Sequence, residues 1–175
     1  MSKVLFVCST VDGHTLEICE RLQGVVEREG HSASIEILTP SSAIDASEFD
    51  AVVIGASIRY GKHRQEVTRF IEEHLDLLGQ KPSAFFSVNA VARKPEKREP
   101  HTNPYVKKFL NSIAWKPKVV GIFGGQIDYP AYGFVDRNMI RFIMWMTKGP
   151  TDPSRKFDFT DWKSVEEFGR RIGRM

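Results

Sequence analysis

Apolar positions along this 175-residue chain switch repeatedly between two periods. Runs of strand length fall at Lys3–Cys8, Ser34–Leu38, Ala51–Gly55, Pro82–Val88 and Val119–Phe123. Between them the spacing becomes three and four. Ile18, Leu22, Val25 and Val26 stripe a helix predicted over Thr15–Glu29, closed by Gly30. His63–Leu78 places Val67, Phe70, Ile71, Leu75 and Leu78 on one face and stops at Gly79. Asn103-Pro104 reads as a cap followed by proline at the first helical position, and opens a helix carrying Val106, Phe109, Leu110 and Ile113. Two more helices are predicted at Val135–Lys148 and Thr160–Ile172.

Strand and helix alternate with no internal repeat, low-complexity tract or linker. One domain over 1–175 is expected: an α/β fold with a doubly wound five-stranded parallel sheet and helices on both faces. Ligands of such sheets bind outside the carboxyl ends of the strands, at the switch point. The segments after strands one, three, four and five are therefore where chemistry is expected. Val135–Lys148, rich in Met, Ile, Phe and Trp, is expected to cover the sheet, because both faces must be buried. With Arg137, Arg141 and Lys148 at its edges, it also suits a helix lying on a bilayer.

Charge sharpens this picture. The net charge is only +3, but residues 81–118 hold nine basic and two acidic side chains, whereas residues 1–80 hold seven and thirteen. Much of the excess lies in a long segment without apolar periodicity, about 89–102, which carries Arg93, Lys94, Lys97 and Arg98. Loops of that length in small domains are usually functional or disordered. This one is a candidate surface for an anionic substrate or membrane. A nucleic acid is not expected, since the aromatic interleaving of single-strand platforms is missing. No stretch reaches the ~20 apolar residues of a membrane span. Met1-Ser2-Lys3 runs directly into strand one without the pattern of a signal peptide, so a cytoplasmic protein is expected. The two cysteines, Cys8 and Cys19, make neither a CxxC pair nor a zinc spacing, and no metal is expected.

The loop Ser9-Thr10-Val11-Asp12-Gly13-His14-Thr15 opens the first helix. Hydroxyls, a turn glycine and a helix N-terminus together make an anion site without lysine or arginine. After strand three, Ala56-Ser57-Ile58-Arg59-Tyr60-Gly61 offers small residues for close approach to a flat ring, with Tyr60 to stack on it. Ser87-Val88-Asn89-Ala90 follows strand four and could bond a ring edge. Gly124-Gly125-Gln126 follows strand five, with Tyr129 and Tyr132 close behind. Neither GxGxxG nor GxxxxGK[ST] occurs, which removes the main support for dinucleotides and nucleoside triphosphates.

The loop Thr10–Thr15 resembles the phosphate loop of flavodoxins. The run Val52–Gly61, the run Ser83–Asn89, Val91-Ala92-Arg93-Lys94-Pro95-Glu96-Lys97-Arg98 and Thr160-Asp161-Trp162 together resemble the flavodoxin-like protoporphyrinogen oxidases of bacterial haem synthesis. That resemblance covers nearly the whole chain. It departs after strand five, where Asp128 precedes Tyr129-Pro130 in place of the family's arginine. It implies a flavodoxin-like fold with bound FMN and oxidation of protoporphyrinogen IX. Electrons would pass to menaquinone or another quinone, with a peripheral position on the inner face of the cell membrane. It implies FMN contacts from the four strand-end segments, and substrate contacts from Arg93, Lys94, Lys97 and Arg98. The flavin carries the redox chemistry, so no catalytic acid or base is assigned. Two alternatives remain open at this point. One is an electron-carrier flavodoxin. The other is a low-molecular-weight phosphatase-like enzyme, suggested by Cys8 before the loop and Asp152-Pro153, although His14 stands where that chemistry needs arginine.

Overall fold

The computed structural model describes all residues, 1–175. Five parallel strands form the centre: β1 (Lys3–Ser9), β2 (Ser32–Ile37), β3 (Ala51–Ser57), β4 (Ser83–Asn89) and β5 (Val119–Gly124). Their order is β2-β1-β3-β4-β5, which makes the predicted five-stranded parallel sheet a doubly wound one. The order reverses between β1 and β3, which sets the switch point there.

Alternation along the strands divides the core in two. Val4, Phe6 and Cys8 of β1 and Phe86 of β4 face α1 (His14–Arg28) and α6 (Trp162–Ile172). Leu5 and Val7 of β1 and Phe85 of β4 face the other way, onto α2 (Gln65–Glu73), α3 (Leu75–Gln80) and α4 (Pro104–Ser112). The central strands are apolar on both faces because both are covered. The cap read from the sequence holds, with Asn103 Oδ1 accepting from Val106 N, and the structure adds a second, Asp161 Oδ1 accepting from Ser164 N.

Three expectations need correction. His63–Leu78 is not one helix. The chain breaks at His74, whose ring stacks on Phe70 with its Nδ1 2.9 Å from the Phe70 carbonyl, and α3 restarts beyond it and runs through Gly79. Residues 89–102 are not an irregular loop. They form two 3₁₀ turns, Ala90–Arg93 and Pro95–Lys97. Asn89 Oδ1 ties them down by accepting from Ala92 N and Asn103 Nδ2, and the Asn103 amide also donates to the Lys97 carbonyl.

The third correction concerns Val135–Lys148. As α5 (Phe134–Met146) it does not cover the sheet, and Met144 alone among its side chains is buried. The reason lies upstream. After Gly124 the chain runs on into a two-stranded ribbon, β6 (Gln126–Asp128) paired antiparallel with β7 (Lys156–Asp158). This annex sits beyond the carboxyl edge of the sheet around its own small core of Ile127, Tyr129, Tyr132 and Met144. The place on the sheet is taken by α6.

Candidate functional site

The site is built from the loops at the switch point. Thr10 Oγ1 accepts from Gly13 N at 3.0 Å, and Gly13 has φ 86, a left-handed turn that favours glycine. No side chain caps α1, so its first N–H groups are free to meet an anion. The hydroxyls of Ser9 and Thr15 are buried at this turn with no partner in the protein. Buried polar atoms are normally satisfied, so two orphans beside an open helix N-terminus fit a phosphate group.

After β3 the chain turns tightly over Arg59–Lys62, with Tyr60 at φ 51 and Gly61 at φ 76. This turn leaves the Tyr60 ring 57 % exposed at the rim. Arg59 leans back over the first loop, donating to Asp12 at 3.0 Å and to Asp136 of α5 at 2.9 Å. Burial opposes its charge, but the two carboxylates hold the guanidinium above its ordinary pKa. Tyr60 also donates to Asp136. Between the two loops lies an open crevice of about 520 Å³, lined by Thr10, Val11, Arg59 and Tyr60 and also by Lys62, His63 and Arg64.

The last three were not singled out from the sequence. Arg64 donates to the Thr10 carbonyl at 3.1 Å, so a guanidinium from the start of α2 supports a loop that has no lysine or arginine of its own. His63 Nε2 lies 2.9 Å from Ser87 Oγ, and burial pushes its pKa down to about 4, so the ring is neutral near pH 7. The signal available was their position just after the third strand.

Other predicted residues are already engaged. His14 turns away from the first loop: its ring nitrogens meet Glu17 at 3.0 Å and Thr160 at 2.6 Å, which leaves only its backbone for a ligand. Asn89 is used within the 89–102 turns, and its amide donates to Ser87 Oγ at 3.2 Å. Gly125 N donates to the Asn89 carbonyl, which joins the fourth and fifth strand ends. Gly124 lies against the Phe159 backbone, where a Cβ would collide. Gln126 is a ribbon residue, paired opposite Asp158. Tyr129 contradicts its assignment as a cofactor contact, since it is fully buried in the annex and donates to the Pro150 carbonyl at 2.7 Å.

The four basic candidates divide into two pairs. Arg93 donates to the carbonyls of Ala90 and Thr147 and to the Thr147 hydroxyl, fastening the turns to the end of α5. Arg98 donates to the Ala92 carbonyl and meets Asp161. Lys94 and Lys97 have no side-chain partner and remain available to an anionic ligand. The phosphatase-like alternative fails on geometry. Cys8 is fully buried within β1, and Asp152 is spent on an exposed turn with Ser154.

The family described as a flavodoxin domain matches residues 5–154. The chain is 41% identical over 173 residues to a quinone-dependent protoporphyrinogen IX dehydrogenase of Escherichia coli (strain K12), covering 99% of this chain and 96% of that protein. A protein of the same name from Leishmania major is 40% identical over 168 residues, 95% of this chain and 72% of that one. Among solved structures, oxidised flavodoxin 1 from Bacillus cereus superposes with a TM-score of 0.52 at 15% identity, over 99% of this chain and 98% of that one.

Proposed function

The chain belongs to the flavodoxin-domain family of quinone-dependent protoporphyrinogen IX dehydrogenases, and from that premise we propose that it oxidises protoporphyrinogen IX to protoporphyrin IX in haem biosynthesis, with FMN as cofactor and menaquinone as acceptor. The observation that carries this reading is the 41% identity spanning 99% of the chain. Six hydrogens leave the substrate, and three quinones each take two and become quinols.

When bound, FMN supplies the two-electron chemistry that links substrate to quinone. The chain's own residues hold and orient. Ser9, Thr15 and the first N–H groups of α1 would bind the phosphate, with the Gly13 turn shaping the loop and Arg64 bracing it. Tyr60 offers an aromatic face at the crevice rim. Lys94 and Lys97 are free to pair with substrate carboxylates, whereas Arg93 and Arg98 fix the turns that carry them. No acid or base is assigned. We place the protein in the cytoplasm, peripheral on the inner face of the membrane that holds the quinone. The test is anaerobic incubation of FMN-loaded protein with protoporphyrinogen IX and a menaquinone analogue. Three quinols per porphyrin support the reading, and porphyrin formation that ignores the quinone overturns it.

A further inference from the structure

The outer half of α5 has no partner inside the molecule. From Phe134 on one edge to Ile143 on the other, that half of the circumference carries seven exposed apolar side chains and Asn138, with no charge. Phe134 is 81 % exposed, Val135 and Trp145 each 70 %, and Phe142 and Met146 each 56 %. Of thirteen exposed large apolar residues in the chain, seven lie on this one helix, and the other six are scattered. Scattered apolar residues are ordinary, but a contiguous patch marks a contact surface.

The rim of the patch identifies the partner. Arg137 and Arg141 flank its inner edge, tied to the carbonyls of Tyr129, Tyr132 and Thr151. Lys148 follows the helix and is exposed. Arg93 bonds Thr147, which brings the exposed Lys94 to the same end. The helix has one acidic residue, Asp136, and that is spent on Arg59 and Tyr60. A second copy set on this face through a two-fold contact would oppose cation to cation. An anionic bilayer matches both the apolar half and the cationic rim. No helix of the protein is long and apolar enough to cross a membrane, and α5 spans about 20 Å, suited to lying in the interface.

We infer that α5 is a docking helix whose exposed half inserts at the headgroup boundary of an anionic bilayer, with Lys148 on lipid phosphates. Because Asp136 joins α5 to the crevice residues Arg59 and Tyr60, docking sets the crevice beside the lipid that dissolves the acceptor. That last step rests on the quinone reading above. The test uses the FMN-loaded protein and its Phe142→Asp/Trp145→Asp variant, in sedimentation with phosphatidylglycerol-containing vesicles and with phosphatidylcholine vesicles. The wild type is expected to bind the anionic vesicles preferentially. The variant is expected to lose at least tenfold in partitioning, keep its far-UV spectrum, and keep turnover with a water-soluble quinone while losing turnover with vesicle-embedded menaquinone. Equal partitioning of wild type and variant overturns the inference. So does a wild type that self-associates and ignores vesicles, which would show that a second copy covers the face. Absent turnover with soluble quinone in the wild type would count against the enzymatic reading alone, since the vesicle measurement stands without it.

Discussion

Helices α5 and α6 are neighbours in sequence, both amphipathic and both rich in large apolar residues, yet they end in opposite environments. α6 sinks Val165, Phe168 and Ile172 into the sheet and presses Gly169 against Val25 of α1, where even a Cβ would crowd at 2.8 Å. α5 buries Met144 and turns Phe142, Trp145 and Met146 to the outside. An apolar stripe shows that a helix has something to cover, but not what covers it. Here the pairing of β6 with β7 decides: it commits residues 126–158 to the annex, and only α6 returns to the sheet.

The largest expected effect breaks this comparison directly. Phe168→Ala removes a ring packed edge-on against Phe86 and Phe123 and should cost about 3–5 kcal/mol of unfolding free energy. Phe142→Ala, on the exposed face, should stay within about 0.5 kcal/mol. Urea unfolding measures both, and similar losses would show that α5 packs inward.

The next contrast lies between adjacent residues. Arg93→Ala strips three hydrogen bonds, two of which fasten the 90–97 turns to Thr147 at the end of α5, and should cost roughly 2 kcal/mol of stability. Lys94→Ala breaks no such contact and should leave the midpoint unchanged, while weakening turnover in a salt-dependent way. Equal destabilisation by the two would erase the division of the basic residues.

The smallest effect sharpens the view of the first loop. Thr15→Val removes a buried hydroxyl with no protein partner, so the apoprotein should be no less stable. FMN affinity should fall about fivefold, the worth of ~1 kcal/mol, with riboflavin affinity unchanged. Thr10→Val should behave differently, lowering apoprotein stability as well, because Thr10 holds Gly13 N. Calorimetric titration with both flavins checks this, and equal loss of riboflavin affinity would place the phosphate elsewhere.

The five-stranded parallel sheet and the first loop were legible in the sequence because each rests on local period and turn chemistry. The crevice was half legible. Thr10 and Tyr60 were singled out, but Lys62 fell between two readings, and His63 and Arg64 were hidden in what read as the start of a helix. Tyr129 and the position of α5 were misread for one reason: neither depends on local pattern. Both depend on the annex, whose three-residue strands β6 and β7 are too short to show a period. Likewise a row of four cations looks uniform until the fold gives Arg93 and Arg98 carbonyls to bind.

The most direct measurement follows the bound flavin itself. Oxidised, FMN-loaded protein is mixed anaerobically with protoporphyrinogen IX in a stopped-flow instrument, and a quinone is added afterwards. The expected result is loss of the flavin's visible absorbance as porphyrin forms, and its return when the quinone arrives. Porphyrin formation with unchanged flavin absorbance, or bleached flavin that no quinone restores, would contradict the proposed reaction.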